Sequence, residues 1–273
     1  MRIRIRAYAE LADLAGDAEL EVPFGQPRSV KDLVESLGIP HPEIGLLVVD
    51  DEPVGFDHRL RGGERVAVYP PFHDLVPSTP LWPAPPEPRR FVADVHLGTL
   101  ARRLRLLGFD TWYETDADDA ELAAVAVAEE RILLTRDLQL LMRRVVVHGY
   151  CPRSDDPEEQ AIEVVRRYGL ATRRAPLTRC VRCNGRLRDA TPAEVRDEVP
   201  PRSRAAFDRF ARCTSCDQVY WPGSHLDAVD GFLARAAATP GPDRPRDRPD
   251  GPGNHAPPVD VPPTRADADE EAE

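Results

Sequence analysis

Two short cysteine pairs restrict the possible folds of this chain more than any other feature of its sequence. Cys180 and Cys183 enclose two residues, and so do Cys213 and Cys216. Two such turns bring four thiolates together, the ligand set of tetrahedral Zn²⁺ in small ribbon domains. Four protein thiolates leave no open coordination position, so we predict a structural rather than a catalytic zinc ion. Any chemistry must come from other residues.

The cysteine usage and the lack of a membrane signal indicate a chain that works in a reducing compartment. In such a compartment, paired cysteines bind metals rather than form disulfides. The fifth cysteine, Cys151, is predicted to be a thiol in a hydrophobic core. No apolar run approaches the roughly 18 residues that span a bilayer, and the amino terminus lacks the apolar centre of a signal peptide. We therefore expect a cytoplasmic protein with no membrane partner.

The distribution of charge favours a nucleic-acid partner although the whole chain is acidic. Its net charge is −11, yet residues 164–212 contain thirteen arginines against five acids. Arg182 lies inside the first cysteine pair, and Tyr220 and Trp221 follow the second. Cationic and aromatic side chains together can bind single-stranded RNA. Two alternatives stay open: the arginines can reflect a GC-rich genome, and the two rings can simply cover the core around the zinc ion.

Residues 1–75 predict a small α+β domain. A helix follows Ser29 and ends at Gly38, where a left-handed cap costs little. Alternation and apolar runs predict strands at 2–8, 19–24, 46–50 and 65–69. This order resembles the ubiquitin-like β-grasp fold of the thiamine and molybdopterin sulfur-carrier proteins. Those carriers work through a free C-terminal Gly-Gly, whereas this chain continues, so we do not expect carrier chemistry; the domain can instead bind a protein partner.

Two proline-rich segments divide the chain further. Residues 76–89 are predicted to be an extended linker, because 76–87 contain five prolines in twelve residues. We expect this linker to keep the N-terminal domain energetically separate from the rest. Residues 233–273 combine proline with an excess of acids and, from Thr239 onward, lack aromatic residues, so we expect a disordered tail.

Residues 90–175 predict an α/β domain with a parallel sheet. Apolar residues recur at helical spacing from Leu97 until Gly108 ends the helix. Short apolar strands are predicted at 91–95, 109–113, 131–135 and 145–147. Strands that alternate with helices in this way form parallel sheets.

Aspartates follow several of these strands. Asp94 lies near the end of the first, Asp137 follows 131–135, and Asp119 enters a helix. Residues just past the carboxyl ends of parallel strands converge in space. Carboxylates are suitable ligands for Mg²⁺ or Mn²⁺, which can neutralise a phosphodiester and activate water. The alternative for Asp119 and Asp137 is a helix-terminal acid that complements the helix dipole, whereas an acid at Asp94 needs a compensating metal or hydrogen bonds.

A resemblance to a known family rests on four segments: FVADVHLGTLARRLRLLGFD, DDAELAAVAVAEERILLTRDLQLL, CVRCNG and CTSCDQVYWPGSH. They resemble the bacterial nuclease family named for the C-terminal domain of the Mut-seven exonuclease, a PIN-like fold, over roughly residues 90–226. By position, the resemblance implies that Asp94, Asp119 and Asp137 are the catalytic acids and hold the Mg²⁺ or Mn²⁺. Weaker candidates are Asp116, Asp118 and Asp155.

Arginines near these acids are candidates for binding the substrate. Arg102 and Arg103 lie off the apolar face of the first helix, and Arg136 adjoins Asp137. Guanidinium groups bind phosphate oxygens well, so we predict that these three residues contact the substrate; the alternative is that they form a solvated surface. Arg105 is expected on a solvated helix face instead.

Together these features predict a metal-dependent ribonuclease that hydrolyses phosphodiester bonds at an acidic Mg²⁺ or Mn²⁺ site. A structural zinc ribbon at residues 176–232 is predicted to assist RNA binding. The alternative is a non-catalytic RNA-binding or adaptor protein that uses the zinc ribbon and the β-grasp domain. Metal binding at the aspartates separates the two.

Overall fold

The N-terminal domain is a five-stranded mixed sheet packed on helices. The computed structural model describes residues 1–72 and 77–222. Its first strands and helices are β1 (Arg2–Ala7), α1 (Leu11–Ala15), β2 (Glu19–Pro23), α2 (Val30–Ser36), β3 (Leu46–Val49), β4 (Glu52–Val54) and β5 (Arg65–Tyr69). The strand order β2-β1-β5-β3-β4, with β1 and β5 parallel in the centre, is the β-grasp arrangement. The predicted fold of this domain is confirmed.

Local sequence explains why this domain forms. The alternation along β1 buries Ile3 and Ile5 on the face that packs against α2, while Arg2, Arg4 and Arg6 stay exposed. Helix α2 begins at Ser29, whose side chain accepts a hydrogen bond from Asp32 N and whose own N–H is bonded by the Asp32 carboxylate. The sequence did not predict β4, which has only three residues and contains a proline.

The middle of the chain forms a four-stranded parallel sheet with helices on both faces. Its elements are β6 (Arg90–Ala93), α3 (Gly98–Leu106), β7 (Asp110–Trp112), α4 (Asp119–Ala128), β8 (Ile132–Leu134), α5 (Leu138–Leu141), β9 (Gly149–Tyr150) and α6 (Pro157–Arg167). Along β6, Phe91 and Ala93 enter one hydrophobic core and Val92 enters the other. The strand order is β7-β6-β8-β9. The chain order therefore reverses between β6 and β8, the position at which ligands bind in open α/β sheets.

One predicted strand of this sheet is wrong. Residues 145–147 do not form a strand, and the last strand is β9 instead. The reason is the turn after α5, which Val146 N closes by donating to Arg143 O at 2.9 Å. This turn leaves Val145 55% exposed and delays pairing with β8 until residue 148. Helix α6 was not predicted; its amphipathic face packs against α3.

The third structural unit is a small antiparallel sheet. It comprises β10 (Leu187–Ala190), α7 (Pro201–Ala206), β11 (Phe210–Cys213) and β12 (Val219–Tyr220), with the strand order β10-β11-β12. Phe210 and Val195 are its buried apolar residues, together with Val199 and Val219. So small a core cannot stabilise a domain unaided, which agrees with the four-cysteine cluster at its end.

The N-terminal domain packs directly against the parallel-sheet domain. His41 Nε2 lies 2.9 Å from Val146 O, Glu43 Oε2 lies 2.7 Å from Arg153 Nη2, and Glu10 Oε1 lies 3.0 Å from Arg167 Nη1. The expectation that the proline-rich linker keeps the domains energetically separate is therefore wrong. Prolines extend a linker, but they do not prevent the domains at its two ends from making contacts with each other.

Some predictions concern residues outside the described ranges. They are the start of the linker at Val76, the end of the ribbon at 223–232 and the tail at 233–273. Cys151 is buried, as predicted for a core thiol. Within residues 1–72 and 77–222, no helix is long and apolar enough to cross a membrane.

Candidate active site and thiolate cluster

Polar residues gather where the strands of the parallel sheet end. Asp94 follows β6 directly, and Thr135 follows β8. These two strands are neighbours and lie on either side of the point where the chain order reverses. Asp94 N donates to Leu134 O at 2.9 Å, so the sheet ladder itself fixes the position of this acid. The expected convergence of residues at this edge is thus observed for the two central strands.

Asp94 is a buried carboxylate that makes only neutral hydrogen bonds. Its side chain is enclosed, and the residue is 6% exposed. Oδ1 accepts from His96 N at 3.1 Å, and Oδ2 accepts from the Thr135 hydroxyl at 2.5 Å. Among the residues that the structure describes, no lysine, arginine or histidine forms an ion pair with Asp94. Within residues 1–72 and 77–222, this carboxylate therefore has no cationic side chain as an ion-pair partner.

The Thr135 hydroxyl links Asp94 to Asp137. While it donates to Asp94, it accepts from Asp137 N at 2.9 Å. Asp137 Oδ1 then caps α5 by accepting from Gln139 N at 2.8 Å. The helix-terminal interpretation of Asp137 is therefore observed, and its functional role stays a prediction for which the second carboxylate oxygen is left over by the cap.

Asp119 is placed differently from the other two acids. It is the first residue of α4, whose N-cap is Asp118. Its carboxylate lies 3.3 Å from Arg143 Nη2 in a half-exposed ion pair. In the described part of the chain, the four cysteines are the only group of three or more His, Cys, Asp or Glu residues whose ligand atoms all lie within 4.8 Å of one another. Asp94, Asp119 and Asp137 thus share the carboxyl edge of the sheet without forming a closed three-acid cluster.

Three predicted phosphate-binding arginines lie on the surface with different partners. Arg102 is exposed, Arg103 lies 3.6 Å from Glu158, and Arg136 pairs with the exposed Asp155. The expectation for Arg105 is wrong, since this residue is 4% exposed. Its guanidinium donates to Thr111 O and to the Arg182 carbonyl oxygen of the first cysteine turn, at 2.9 and 3.0 Å. Helical spacing alone did not show that a second domain covers this face.

The four cysteine sulfur atoms form a tight group. Cys183 Sγ lies 3.5 Å from Cys213 Sγ and 3.4 Å from Cys216 Sγ, and Cys180 Sγ lies 3.6 Å from Cys216 Sγ. These distances are too long for disulfides. Four sulfurs at about 2.3 Å from a tetrahedral zinc ion lie about 3.8 Å apart. The observed sulfur–sulfur distances are slightly shorter than this value. The cluster fits Zn²⁺ in ligand type and in its tetrahedral arrangement.

The acidity of two of these thiols, Cys180 and Cys216, shows why a cation suits the cluster. Burial opposes ionisation of Cys180, but hydrogen bonds from the Tyr220 hydroxyl and from Cys183 N lower its pKa to about 7. At Cys216, burial together with the sulfurs of Cys180 and Cys213 raises the pKa of the thiol. One thiolate forms easily, whereas further negative charge beside it is unfavourable. A divalent cation at the centre removes that conflict.

Family comparison agrees with this combination of domains. A model described as the Mut7-C RNase domain matches residues 89–233, more than half of the chain. The chain belongs to the Mut7-C RNase family. A second model, described as Mut7-C ubiquitin, matches residues 1–76. We call the parallel-sheet domain together with its ribbon the RNase domain. The family name supports nuclease activity on RNA for this domain.

Solved structures resemble the β-grasp domain only distantly. A candidate molybdopterin converting factor, subunit 1, from Pyrococcus furiosus is 24% identical to this chain. The match covers 26% of this chain and 99% of that protein, with a TM-score of 0.23. The H. volcanii small archaeal modifier protein 1 is 19% identical, covering 26% of this chain and 98% of its own, also with a TM-score of 0.23. At these scores the likeness carries no argument, and no curated protein matches the chain.

The ribbon of this Mut7-C RNase domain is attached to the edge of the parallel sheet. Asn184 Oδ1 accepts from Thr111 N of the outer strand β7 at 3.0 Å. Its amide nitrogen donates to Asp110 Oδ1 at 2.8 Å, and Arg179 Nη2 lies 2.9 Å from Asp110 Oδ2. A single sequence does not show this contact, because Asn184 and its partners lie more than 70 positions apart. These bonds join the four-cysteine ribbon directly to the edge of the sheet.

The ribbon residues predicted to bind RNA have partly structural surroundings. The Tyr220 hydroxyl lies 3.1 Å from Cys180 Sγ, and Trp221 packs against the ribbon core. These contacts match the alternative that both rings cover the cluster. The Arg182 side chain is exposed. The sequence analysis also missed Thr135. A polar residue directly after a fully buried strand was the feature that could have indicated it.

Proposed function

We propose that this Mut7-C RNase family member is a metal-dependent ribonuclease that hydrolyses phosphodiester bonds at the carboxyl edge of its parallel sheet. The environment of Asp94 carries the proposal. A carboxylate that is 6% exposed and has no cationic partner among the described residues costs folding free energy unless an ion compensates it. A divalent cation supplies that compensation, and the strand-end position suits a ligand crevice.

Two carboxylates are sufficient for such an ion. Mg²⁺ is commonly held by one or two carboxylates, with water and substrate phosphate completing its shell. Asp94 and Asp137, joined through Thr135, offer these oxygens. Asp119 can contribute if its half-exposed pair with Arg143 opens. When bound, the ion supplies charge neutralisation at the phosphate and activation of water.

Surface arginines provide the proposed contacts with the RNA backbone. Arg136 adjoins Asp137, and its exposed guanidinium has N–H groups beyond the Nη1 that pairs with Asp155, so a phosphate can bind beside that ion pair. Arg102 has an exposed guanidinium, and Arg103 is paired with Glu158 across 3.6 Å. We propose that these residues hold the substrate beside the acids.

The zinc ribbon is proposed to add affinity rather than chemistry. Four thiolates close the coordination of Zn²⁺, so the metal holds the ribbon together. Exposed Arg182 offers a further phosphate contact, and the partly exposed rings of Tyr220 and Trp221 can stack on bases. We expect the protein in the cytoplasm, where thiolate sites persist. The protein partner expected for the β-grasp domain stays a prediction.

The proposal is tested by RNA cleavage with matched helix-cap variants. Asp137 caps α5, and the exposed Asp156 caps α6 through the same two-amide geometry. Asparagine caps a helix as well as aspartate. We expect D94N and D137N to abolish Mn²⁺-dependent cleavage of single-stranded RNA while D156N cleaves normally. Wild-type protein that binds RNA without cleaving it favours the non-catalytic alternative, and a parallel DNA substrate shows the sugar preference.

A further inference from the structure

One acid of the β-grasp domain forms its carboxylate hydrogen bonds with the RNase domain. Glu43 lies in a short 3₁₀ turn, His41–Glu43, and is fully buried. Its Oε1 accepts from Cys151 N at 2.7 Å and from Arg153 Nη1 at 3.0 Å, and its Oε2 accepts from Arg153 Nη2 at 2.7 Å. All of the hydrogen bonds that this carboxylate accepts from described residues come from the RNase domain.

The segment that Glu43 contacts leaves the carboxyl end of the outer strand β9. This exit loop, residues 151–155, runs from β9 towards α6 along the same edge of the sheet as Asp94 and Asp137. Glu163 of α6 holds it from the other side by accepting from Arg153 N at 2.7 Å and from Ser154 N at 2.9 Å. Two carboxylates from two domains therefore clamp one loop.

The far end of the exit loop reaches the proposed active site. Asp155 pairs with Arg136, the neighbour of Asp137 in the chain. A displacement of the loop therefore moves the carboxylate that orients a proposed phosphate-binding arginine. Positioning effects of this kind can be large, since a shift of about 1 Å remote from the chemistry can cost about 100-fold in rate.

The bonds of Glu43 are suited to fixing geometry. A bidentate carboxylate–guanidinium pair holds both the distance and the plane of Arg153. The additional bond to Cys151 N satisfies the backbone N–H of the residue that follows β9, where no further strand pairs in the described sheet. Asn184 fulfils the same task at Thr111 N on the opposite edge. Side chains from the β-grasp domain and from the ribbon thus close the two edges of the sheet.

We propose that Glu43 is a positioning residue of the RNase site, through which the β-grasp domain fixes the exit loop and so holds Arg136 in place. This inference rests on the proposed function. It makes the N-terminal domain a structural component of the enzyme, in contrast to a tethered adaptor. Activity of the site then depends on docking of the β-grasp domain.

The competing explanation is that Glu43 only stabilises the domain interface. The interface offers a matched control, because Glu10 also crosses it and pairs with Arg167 Nη1 at 3.0 Å without touching the exit loop. In the full-length protein, E43Q is compared with E10Q. The measurements are amide hydrogen exchange at residues 151–154, the melting temperature, and kcat and KM for single-stranded RNA with Mn²⁺.

We expect E43Q to accelerate exchange at residues 151–154 and to lower kcat about tenfold or more, whereas E10Q lowers only the melting temperature. A second variant separates stability from positioning. Replacement of a buried ion pair by apolar side chains is often neutral for folding, so E43L/R153M should melt above E43Q, with the lost acceptor of Cys151 N as its remaining cost. Its kcat should nevertheless stay low.

Recovery of kcat together with the melting temperature in E43L/R153M overturns the proposal, as does unchanged exchange at residues 151–154 in E43Q. The exchange measurement does not depend on catalysis. If wild-type protein fails to cleave RNA, the proposed function fails, but accelerated exchange in E43Q with no acceleration in E10Q still supports the positioning of the loop. The two failures are therefore distinguishable.

Discussion

The hydroxyl of Thr135 lies 2.5 Å from Oδ2 of Asp94 and joins the ends of the two central strands β6 and β8. The same oxygen accepts from Asp137 N, so one buried neutral side chain sets the relative position of both acids. Thr135 carries no charge, and in the described part of the chain no cationic side chain pairs with Asp94, which is why we propose a cation beside this acid.

Thr135→Val is expected to reduce RNA cleavage although valine has the same shape. The substitution leaves an Asp94 oxygen and Asp137 N without their partner, which costs about 1–3 kcal/mol in unfolding free energy and loosens the acids. Thr135→Ser keeps the hydroxyl and serves as the control. Urea unfolding and steady-state cleavage of both variants provide the measurement. Wild-type kcat in Thr135→Val means that this hydroxyl does not organise the site.

Purified protein is expected to contain about one zinc ion per chain that excess Mg²⁺ does not displace, because a closed thiolate site prefers the softer metal. Cys213→Ser should lower the zinc content and the melting temperature together. Elemental analysis and thermal unfolding with a strong chelator check both points. Iron in place of zinc, or an unchanged melting temperature after metal removal, contradicts a structural zinc ribbon.

Asp110 should make the junction between sheet and ribbon sensitive to acid. Burial raises its pKa, but bonds from Arg131 and Asn184 outweigh burial and leave the pKa below its ordinary value of 3.8. A lowered pKa in the folded state means that the ionised form stabilises the fold. This contribution is complete above about pH 4 and is lost as the pH falls through the folded-state pKa.

Asp110→Asn should therefore cost on the order of 2 kcal/mol at pH 7 and progressively less below about pH 4. Urea unfolding of the wild type and the variant between pH 7 and pH 3 measures this difference. Asp189→Asn, at an exposed acid whose nearest cation lies 4.0 Å away, is the control with little expected effect. A difference between wild type and Asp110→Asn that does not change with pH contradicts the assignment.

A fragment that lacks residues 1–75 is expected to be poorly soluble and weakly active. Its RNase domain would expose Val146 O and leave Arg153 and Arg167 without Glu43 and Glu10. Sedimentation, circular dichroism and RNA cleavage of the fragment check this expectation. A fragment that is soluble, folded and as active as the full chain shows that the interface contributes nothing to the site.

Local patterns were sufficient for most elements and for the thiolate cluster. Alternation along β1 and the spacing of Cys180, Cys183, Cys213 and Cys216 are short-range features that one sequence contains in full. Residues 145–147 were misread because three apolar residues do not distinguish a turn from a strand. The roles of Arg105 and Glu43 depend on partners more than 70 and 100 positions away. Such pairs have no periodicity, so a single sequence does not show them.

The most direct test of an acidic metal site is a crystal soaked in Mn²⁺ and measured for anomalous scattering. Mn²⁺ reports its position without the need for catalysis and is coordinated by carboxylate oxygens. We expect a peak within ligand distance of both Asp94 and Asp137, about 2.2 Å from their oxygens, and no such peak in crystals of D94N. Mn²⁺ bound only at other surface acids, with none beside Asp94 at saturating concentration, would contradict the proposed ribonuclease site.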